Sequence, residues 1–483
     1  MVWMIIFTLL VAILAVVFAR TALFHSRQMH ALTADDIRIN LDLAVKRLSG
    51  AIRIRTLSFV EIGEVDSEPF ICFREYLEKQ FPLVHARLKR EIIAENSLLY
   101  TWQGKDSTLL PVLMMAHMDV VPVVEEAGKP WTQPAYGGDV QDGFIWGRGT
   151  LDDKGSLLGL LEAVENLLEN GFTPQRTLML TFGHDEEIGG IKGAAAVSQV
   201  LTDRGVRFEY VLDEGGAIVD EFIGKMSVAA LGIAEKGYVT VKLTKEGDGG
   251  HSSQPPEHTT IGQLSAAIQR IEAHPRGLHP GGVLGLMLDY LGPEMSFPVR
   301  LFLANRWLFG PLVNWFLVRQ PSIKPMMQTT QAVTMISAGI KDNILPPSAS
   351  AAVNCRILPG ETVEQMVQHL RKSANDADLK VEPILDFCVE PSPISPISSR
   401  AFLDVQKSIS QIFPKTIVAP YLVLGGTDSK HFQNLSESVF RFSPTAMHVS
   451  DLARLHGRDE RISVKAYQDS IIFYVQLMKN TLV

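Results

Sequence analysis

Apolar positions along this chain fall into three patterns, and each predicts a different kind of element. Residues 1–19 carry no charged side chain and are filled mainly by Val, Ile, Leu, Phe and Ala. That run is longer than a secretory core of about 7–15 residues and close to the ~20 that cross a bilayer. It reads either as an uncleaved anchor or as a signal peptide removed after Ala19, where Val17 and Ala19 are small enough for cleavage. Arg20 and Arg27 behind it favour a cytoplasmic C-terminal side by charge bias alone.

From about Leu32 the spacing becomes helical, with Ile37, Leu41, Val45 and Leu48 set among polar residues. Further on, apolar runs at 109–116, 177–182 and 210–212 stop abruptly before His117, Gly183 and Asp213, as buried strands do. Between the first two, residues 155–170 place Leu157, Leu160, Leu161, Val164 and Leu168 on one helical face, with Gly171 as the stop. Strand, helix, strand predicts an α/β sheet covered by helices, with ligands gathered beyond the carboxyl ends of the strands.

A second unit interrupts the first. Strand patterns at 238–243, 332–337, 349–357 and 379–387, with helices at 261–271 and 363–374, give the β-α-β-β-α-β order of a ferredoxin-like α+β domain. The expected organisation is a main domain in two parts, 32–233 and 391–483, around an inserted lid at 234–390. Within the lid, 281–327 is unusually rich in Leu, Phe and Trp, including Trp307, Phe309, Trp315 and Phe316. It reads as core or dimer interface, or else as a wall for an apolar substrate or a membrane-facing surface.

Composition narrows the function. With 483 residues, 46% hydrophobic and 20% charged, the chain is an ordinary globular protein large enough for two cores. A net charge of -8 with no basic stripe argues against nucleic acid as a partner. Cys72, Cys355 and Cys388 are too few and too scattered for a disulfide framework or a cysteine-based zinc site.

The chemistry lies where the strands end. His117 and Asp119 follow the first; Asp152 and Asp153 open the apolar helix; Asp185, Glu186 and Glu187 follow the second strand; Asp213 and Glu214 follow the third; His456 sits in a polar segment near the C-terminus. Singly, each has an ordinary explanation: a hydrogen-bonded histidine, a helix cap, a surface imidazole. Jointly, so many carboxylates at one crevice would repel one another, and bound cations are the simplest compensation. Two imidazoles among carboxylates suit zinc. The chain contains no Gly-x-Ser-x-Gly elbow, phosphate-binding Gly-x4-Gly-Lys-Ser/Thr loop or His-Glu-x-x-His helix.

The set His117-x-Asp119, Gly149-Thr150-Leu151-Asp152-Asp153, Asp185-Glu186-Glu187, Asp213-Glu214-Gly215-Gly216, Gly250-His251-Ser252-Ser253 and His456-Gly457 resembles the aminoacylase and carboxypeptidase S family of dinuclear zinc metallopeptidases. Within it, Gly183-His184-Asp185-Glu186-Glu187, Ser252-Ser253-Gln254-Pro255-Pro256 and Trp307-Leu308-Phe309 are most similar to the secreted branch that acts on N-fatty-acyl amino acids. The resemblance implies a zinc-peptidase-like catalytic domain with a lid that also dimerises. It implies two zinc ions per subunit bridged by Asp152, one completed by His117 and Asp213, the other by Glu187 and His456. It further implies a cis peptide between Asp152 and Asp153, Glu186 as general base, and Asp119 as the residue that orients His117.

On the substrate side it implies that His251 stabilises the oxyanion, often across a dimer, and that Asn343 and Arg356 hold the substrate carboxylate. Gly425, Gly426 and Thr427 add backbone donors. A structural ion pair is the competing explanation for Arg356. The function implied is hydrolysis, with reverse condensation as a further activity, of the amide bond in an N-acyl amino acid whose acyl group is a long fatty chain. The competing activities are a carboxypeptidase or dipeptidase acting on peptides with a free C-terminal carboxylate and, more remotely, a non-catalytic metal-binding membrane protein. The site then lies outside the cytoplasm, anchored by the N-terminal segment or secreted.

Overall fold

The computed structural model describes residues 1–29, 32–58, 66–124 and 128–483. The chain divides into two compact units. One comprises 27–233, 395–421 and 427–483; the other comprises 1–26, 234–394 and 422–426. The lid is therefore joined by the N-terminal segment and a short C-terminal stretch, both of which the sequence assigns elsewhere.

The first unit is built on a mixed sheet. Its middle consists of Leu178–Gly183, Val112–His117, Tyr210–Asp213 and Val439–Arg441, side by side and parallel. Antiparallel strands continue it outward on both sides, among them Ser97–Trp102 and Met226–Glu235. The parallel strands are buried throughout, as their unbroken apolar runs require. The helix Lys154–Glu169 buries Leu157, Leu158, Leu160, Leu161 and Val164, each contributing about 1.5–3 kcal/mol by leaving water. Its buried acids are matched: Glu162 meets Arg47 at 2.8 Å, and Glu165 accepts the N–H groups of Leu83 and Val84 at the start of Pro82–Arg87.

The second unit carries the expected β-α-β-β-α-β module. Its antiparallel sheet runs in the order Thr330–Ala338, Ser348–Ile357, Gly237–Glu246, Lys380–Val389. The helices Thr260–Ala273 and Val363–Ala374 cover one face through Leu264, Ile271, Met366 and Leu370, packed on Val239, Val241 and Val353. Between the first helix and second strand, the apolar stretch forms three further helices, Gly282–Leu291, Phe297–Ala304 and Arg306–Leu317. The N-terminal segment is one helix, Val2–Ala22, long and apolar enough to cross a membrane by length and composition.

Candidate active site

His117 is the last residue of its strand, so its imidazole emerges at the carboxyl edge of the sheet. Its Nδ1 lies 2.9 Å from the Asp119 carbonyl oxygen and 3.3 Å from the Asp119 carboxylate. Both partners are acceptors, so Nδ1 carries the proton and Nε2 faces the crevice. There Nε2 lies 2.9 Å from Asp152 Oδ1 and 3.4 Å from Glu214 Oε1. On the other side His456 Nε2 lies 2.9 Å from Asp152 Oδ2 and 3.2 Å from Glu187 Oε2. Asp152 thus offers one oxygen to each of two groups, His117–Asp152–Glu214 and Asp152–Glu187–His456, within each of which the ligand atoms lie no more than 4.8 Å apart.

Glu214, rather than Asp213, stands beside His117. The Asp213 Oδ2 accepts the backbone N–H of Ser429 at 2.7 Å. Asp213 is the last residue of its strand and Glu214 the first beyond it, so both lie at the carboxyl edge of the sheet.

Several buried carboxylate oxygens near this group lack hydrogen-bond partners among the described residues. Neither Asp153 oxygen has a hydrogen-bond partner, nor does Glu187 Oε1 or Asp428 Oδ1, although all are buried. Asp153 begins the helix Lys154–Glu169 but does not cap it, so a helix cap does not account for it. The peptide joining Asp152 to Asp153 is cis. Asp185, by contrast, turns away to accept the N–H groups of Lys192 and Gly193 before the helix Ala194–Asp203. A Cβ at Gly193 would lie 2.4 Å from Asp185 Oδ1, which requires glycine there.

Electrostatics follow from the crowding. Burial, then the charges of Glu214, Asp428 and Glu187, push Glu186 well above the usual carboxylate range. Burial, then Asp152 and Asp153, do the same to Glu214. Burial opposes ionisation of Asp152, but hydrogen bonds from His117 and His456 hold it well below its ordinary value. His456 is raised to about 10 by its hydrogen bonds to Asp152 and Glu187. Burial works against a charge on His117, yet Glu214, Asp119 and Asp152 together hold it well above the usual imidazole value. Carboxylate oxygens and imidazole nitrogens that share protons for lack of other positive charge are a donor set suited to divalent cations such as zinc, whose uptake displaces those protons.

Two residues invisible to motif reasoning hold this arrangement. Glu460 Oε1 accepts the N–H groups of Gly149 and Leu151, each at 2.9 Å, and of Asp152 at 3.3 Å. Its other oxygen pairs with Arg148, which also donates to the His456 and Gly457 carbonyls. Glu460 lies in the Arg458-Asp459-Glu460-Arg461 run just after His456, but nothing in its spacing marks it as buried.

The structure does not bring every expected residue into this group. His251, Asn343, Arg356, Gly425 and Gly426 belong to the other unit. His251 is exposed, with Nδ1 2.8 Å from Ser253 Oγ, and pairs with Ile344 in a short two-stranded antiparallel ribbon, beside which Ser252 donates to the Asn343 carbonyl. The Arg356 guanidinium lies 4.6 Å over the Tyr238 ring. Among the described residues no carboxylate lies within ion-pair distance of it, so the structural ion pair is not found. Thr427 belongs to the first unit, is buried, and its hydroxyl lies 2.6 Å from that of Ser429.

A carboxylate shared between two groups that could each hold a cation, with the half-buried Glu186 next to them and belonging to neither, is the equipment of a metal-dependent hydrolase. The family model described as peptidase family M20/M25/M40 matches residues 113–480, and the chain belongs to this family. It is 40% identical over 489 residues to "Probable carboxypeptidase S-like 2" of Dictyostelium discoideum, covering 98% of this chain and 93% of the relative. It is also 40% identical over 443 residues to the N-fatty-acyl-amino acid synthase/hydrolase PM20D1 of Xenopus tropicalis, covering 90% and 85%. Among solved structures, an M20 family metallo-carboxypeptidase from Sulfolobus solfataricus shares the fold, with a TM-score of 0.65 at 18% identity over 90% of this chain and 98% of that one. The protein is thus an enzyme, a metallohydrolase of α/β architecture.

Proposed function

We propose that this enzyme hydrolyses the amide bond between an apolar acyl group and an amino acid with a free carboxylate, using two zinc ions. The observation that carries the reading is the Asp152 carboxylate, which presents Oδ1 to the His117–Glu214 side and Oδ2 to the His456–Glu187 side. The cations, when bound, supply positive charge that acidifies a water and polarises the scissile carbonyl. Glu186 takes the proton from the attacking water and returns it to the leaving nitrogen; its raised proton affinity suits a base that must also act as an acid. Asp119 fixes the tautomer of His117. His251 stabilises the oxyanion, and Arg356 and Asn343 hold the substrate carboxylate, Arg356 being suited by having no acidic partner among the described residues; Gly425, Gly426 and Thr427 add donors.

The apolar acyl group is favoured by the relative named for N-fatty-acyl amino acids. The equally similar relative named carboxypeptidase S-like supports a second reading, a carboxypeptidase on peptides. The two are separated by assaying the zinc-loaded protein against N-acyl amino acids of increasing chain length and against dipeptides. Faster turnover of long acyl chains supports the first; preference for short dipeptides replaces it with the second. Glu186→Gln should keep its metal and lose turnover in either case. We read the first nineteen residues as an anchor with the catalytic unit outside the cytoplasm, and the lid as a dimerisation surface. Its edge strand Thr330–Ala338 leaves Met335 and Ile336 exposed.

A further inference from the structure

The helix Val2–Ala22 is apolar on nearly its whole circumference, yet its last turns are not free. Val17 and Thr21 are buried. Asn305, fully buried where Phe297–Ala304 meets Arg306–Leu317, donates through Nδ2 to the Val17 carbonyl and the Thr21 hydroxyl, both at 3.1 Å. Arg300 donates to the Thr21 carbonyl at 2.9 Å and Arg20 to the Ala304 carbonyl at 3.4 Å. A buried amide is costly unless its donors are met. Cleavage after Ala19 would remove the Val17 carbonyl from Asn305.

At about 1.5 Å per residue this helix is roughly 30 Å long, the thickness of a bilayer's hydrocarbon core. The contacts at residues 17–21 lie within its final turns, at the depth where hydrocarbon gives way to head groups. The two insertion helices docked there expose Phe297, Trp307, Leu308, Leu312, Trp315 and Phe316, of which Trp307 and Phe316 remain 55% and 58% exposed. Arginines border them, and the Arg319 guanidinium lies 3.8 Å over the Trp315 ring. Tryptophan and arginine next to exposed leucine and phenylalanine match the chemistry of the interfacial layer.

We propose that the helices Phe297–Ala304 and Arg306–Leu317 lie in the interfacial layer of the bilayer crossed by Val2–Ala22, so that this unit is seated on lipid at two linked points. The occupant of the exposed aromatic face is the lipid surface. The inference rests on the anchor reading of the first nineteen residues and is independent of the hydrolase chemistry.

The test uses the full chain with Trp3→Phe, reconstituted in phosphatidylcholine vesicles with brominated acyl chains. Bromine should quench part of the tryptophan emission, and adding Trp307→Phe and Trp315→Phe should abolish that part, since Trp102 and Trp146 are buried and Trp131 lies against the Arg148 guanidinium. Quenching that survives both changes overturns the proposal. So does a pair of tryptophans shielded from bromine and from aqueous acrylamide alike, which would mean a second copy of the chain covers the face. Intact mass must show the first nineteen residues retained; a chain beginning after Ala19 overturns the anchor without touching the assay of amide hydrolysis.

Discussion

The Asp119 carboxylate, 3.3 Å from the His117 ring, also accepts the backbone N–H of Glu187 at 3.1 Å. One buried side chain therefore fixes a histidine on one strand and the acidic turn that follows another, with Ser58 and the Glu186 N–H completing its partners. Removing such a partner behind a metal-binding histidine costs about 10–100-fold in metal affinity or activity. Asp119→Ala should fall in that range in competition with a zinc chelator while remaining folded. An unchanged affinity would leave Asp119 without the positioning role.

Glu460 plays the corresponding part for Asp152. In Glu460→Ala the Arg148 guanidinium is left buried without its carboxylate, at a cost of about 3–5 kcal/mol. The three N–H groups of the Asp152 loop lose their acceptor as well. Denaturation should show a clear loss of stability and dialysis a faster loss of metal, with Glu460→Gln milder in both. An alanine variant that keeps its metal through dialysis would contradict this role.

Replacement of Glu214 by Ala should leave the protein with one of its two metal equivalents, whereas Asp213→Asn should retain both. Elemental analysis of the purified variants decides it. The reverse pattern would return the ligand role to Asp213.

Lys236 gives a pH signature away from the catalytic group. Burial, and then the nearby Arg356 charge, push its ammonium down to about 8, although it donates to the Pro325 and Gln328 carbonyls. Between that value and the ordinary 10.5 the unfolded chain holds more protons than the folded one, so stability rises with pH across this interval. The melting temperature of the wild type relative to Lys236→Gln should climb between about pH 8 and 10.5. A difference that stays flat would show that Lys236 titrates normally.

The sheet and its site were legible where local pattern and burial agree. The runs at 112–117, 178–183 and 210–213 are apolar because both faces of a central parallel sheet are covered, and each ends at the residue where the chemistry starts. The lid helix Val363–Ala374 carries its own signal, a Thr362–Gln365 capping box ahead of an amphipathic stripe. The insertion helices were not legible, because apolar residues on all sides erase the helical period. Glu460 was missed for a related reason: its burial is imposed by Arg148 and by backbone donors some 310 residues earlier in sequence, which no local window contains. The approach of Glu214 to His117 likewise depends on tertiary placement, since the two residues are nearly a hundred positions apart.

Anomalous diffraction at the zinc absorption edge from crystals of the zinc-loaded protein tests the central claim most directly. Two peaks are expected, one beside Asp152 Oδ1 with His117 and Glu214, the other beside Asp152 Oδ2 with Glu187 and His456. A single peak, or zinc bound away from Asp152, would contradict the shared carboxylate on which the proposed hydrolysis depends.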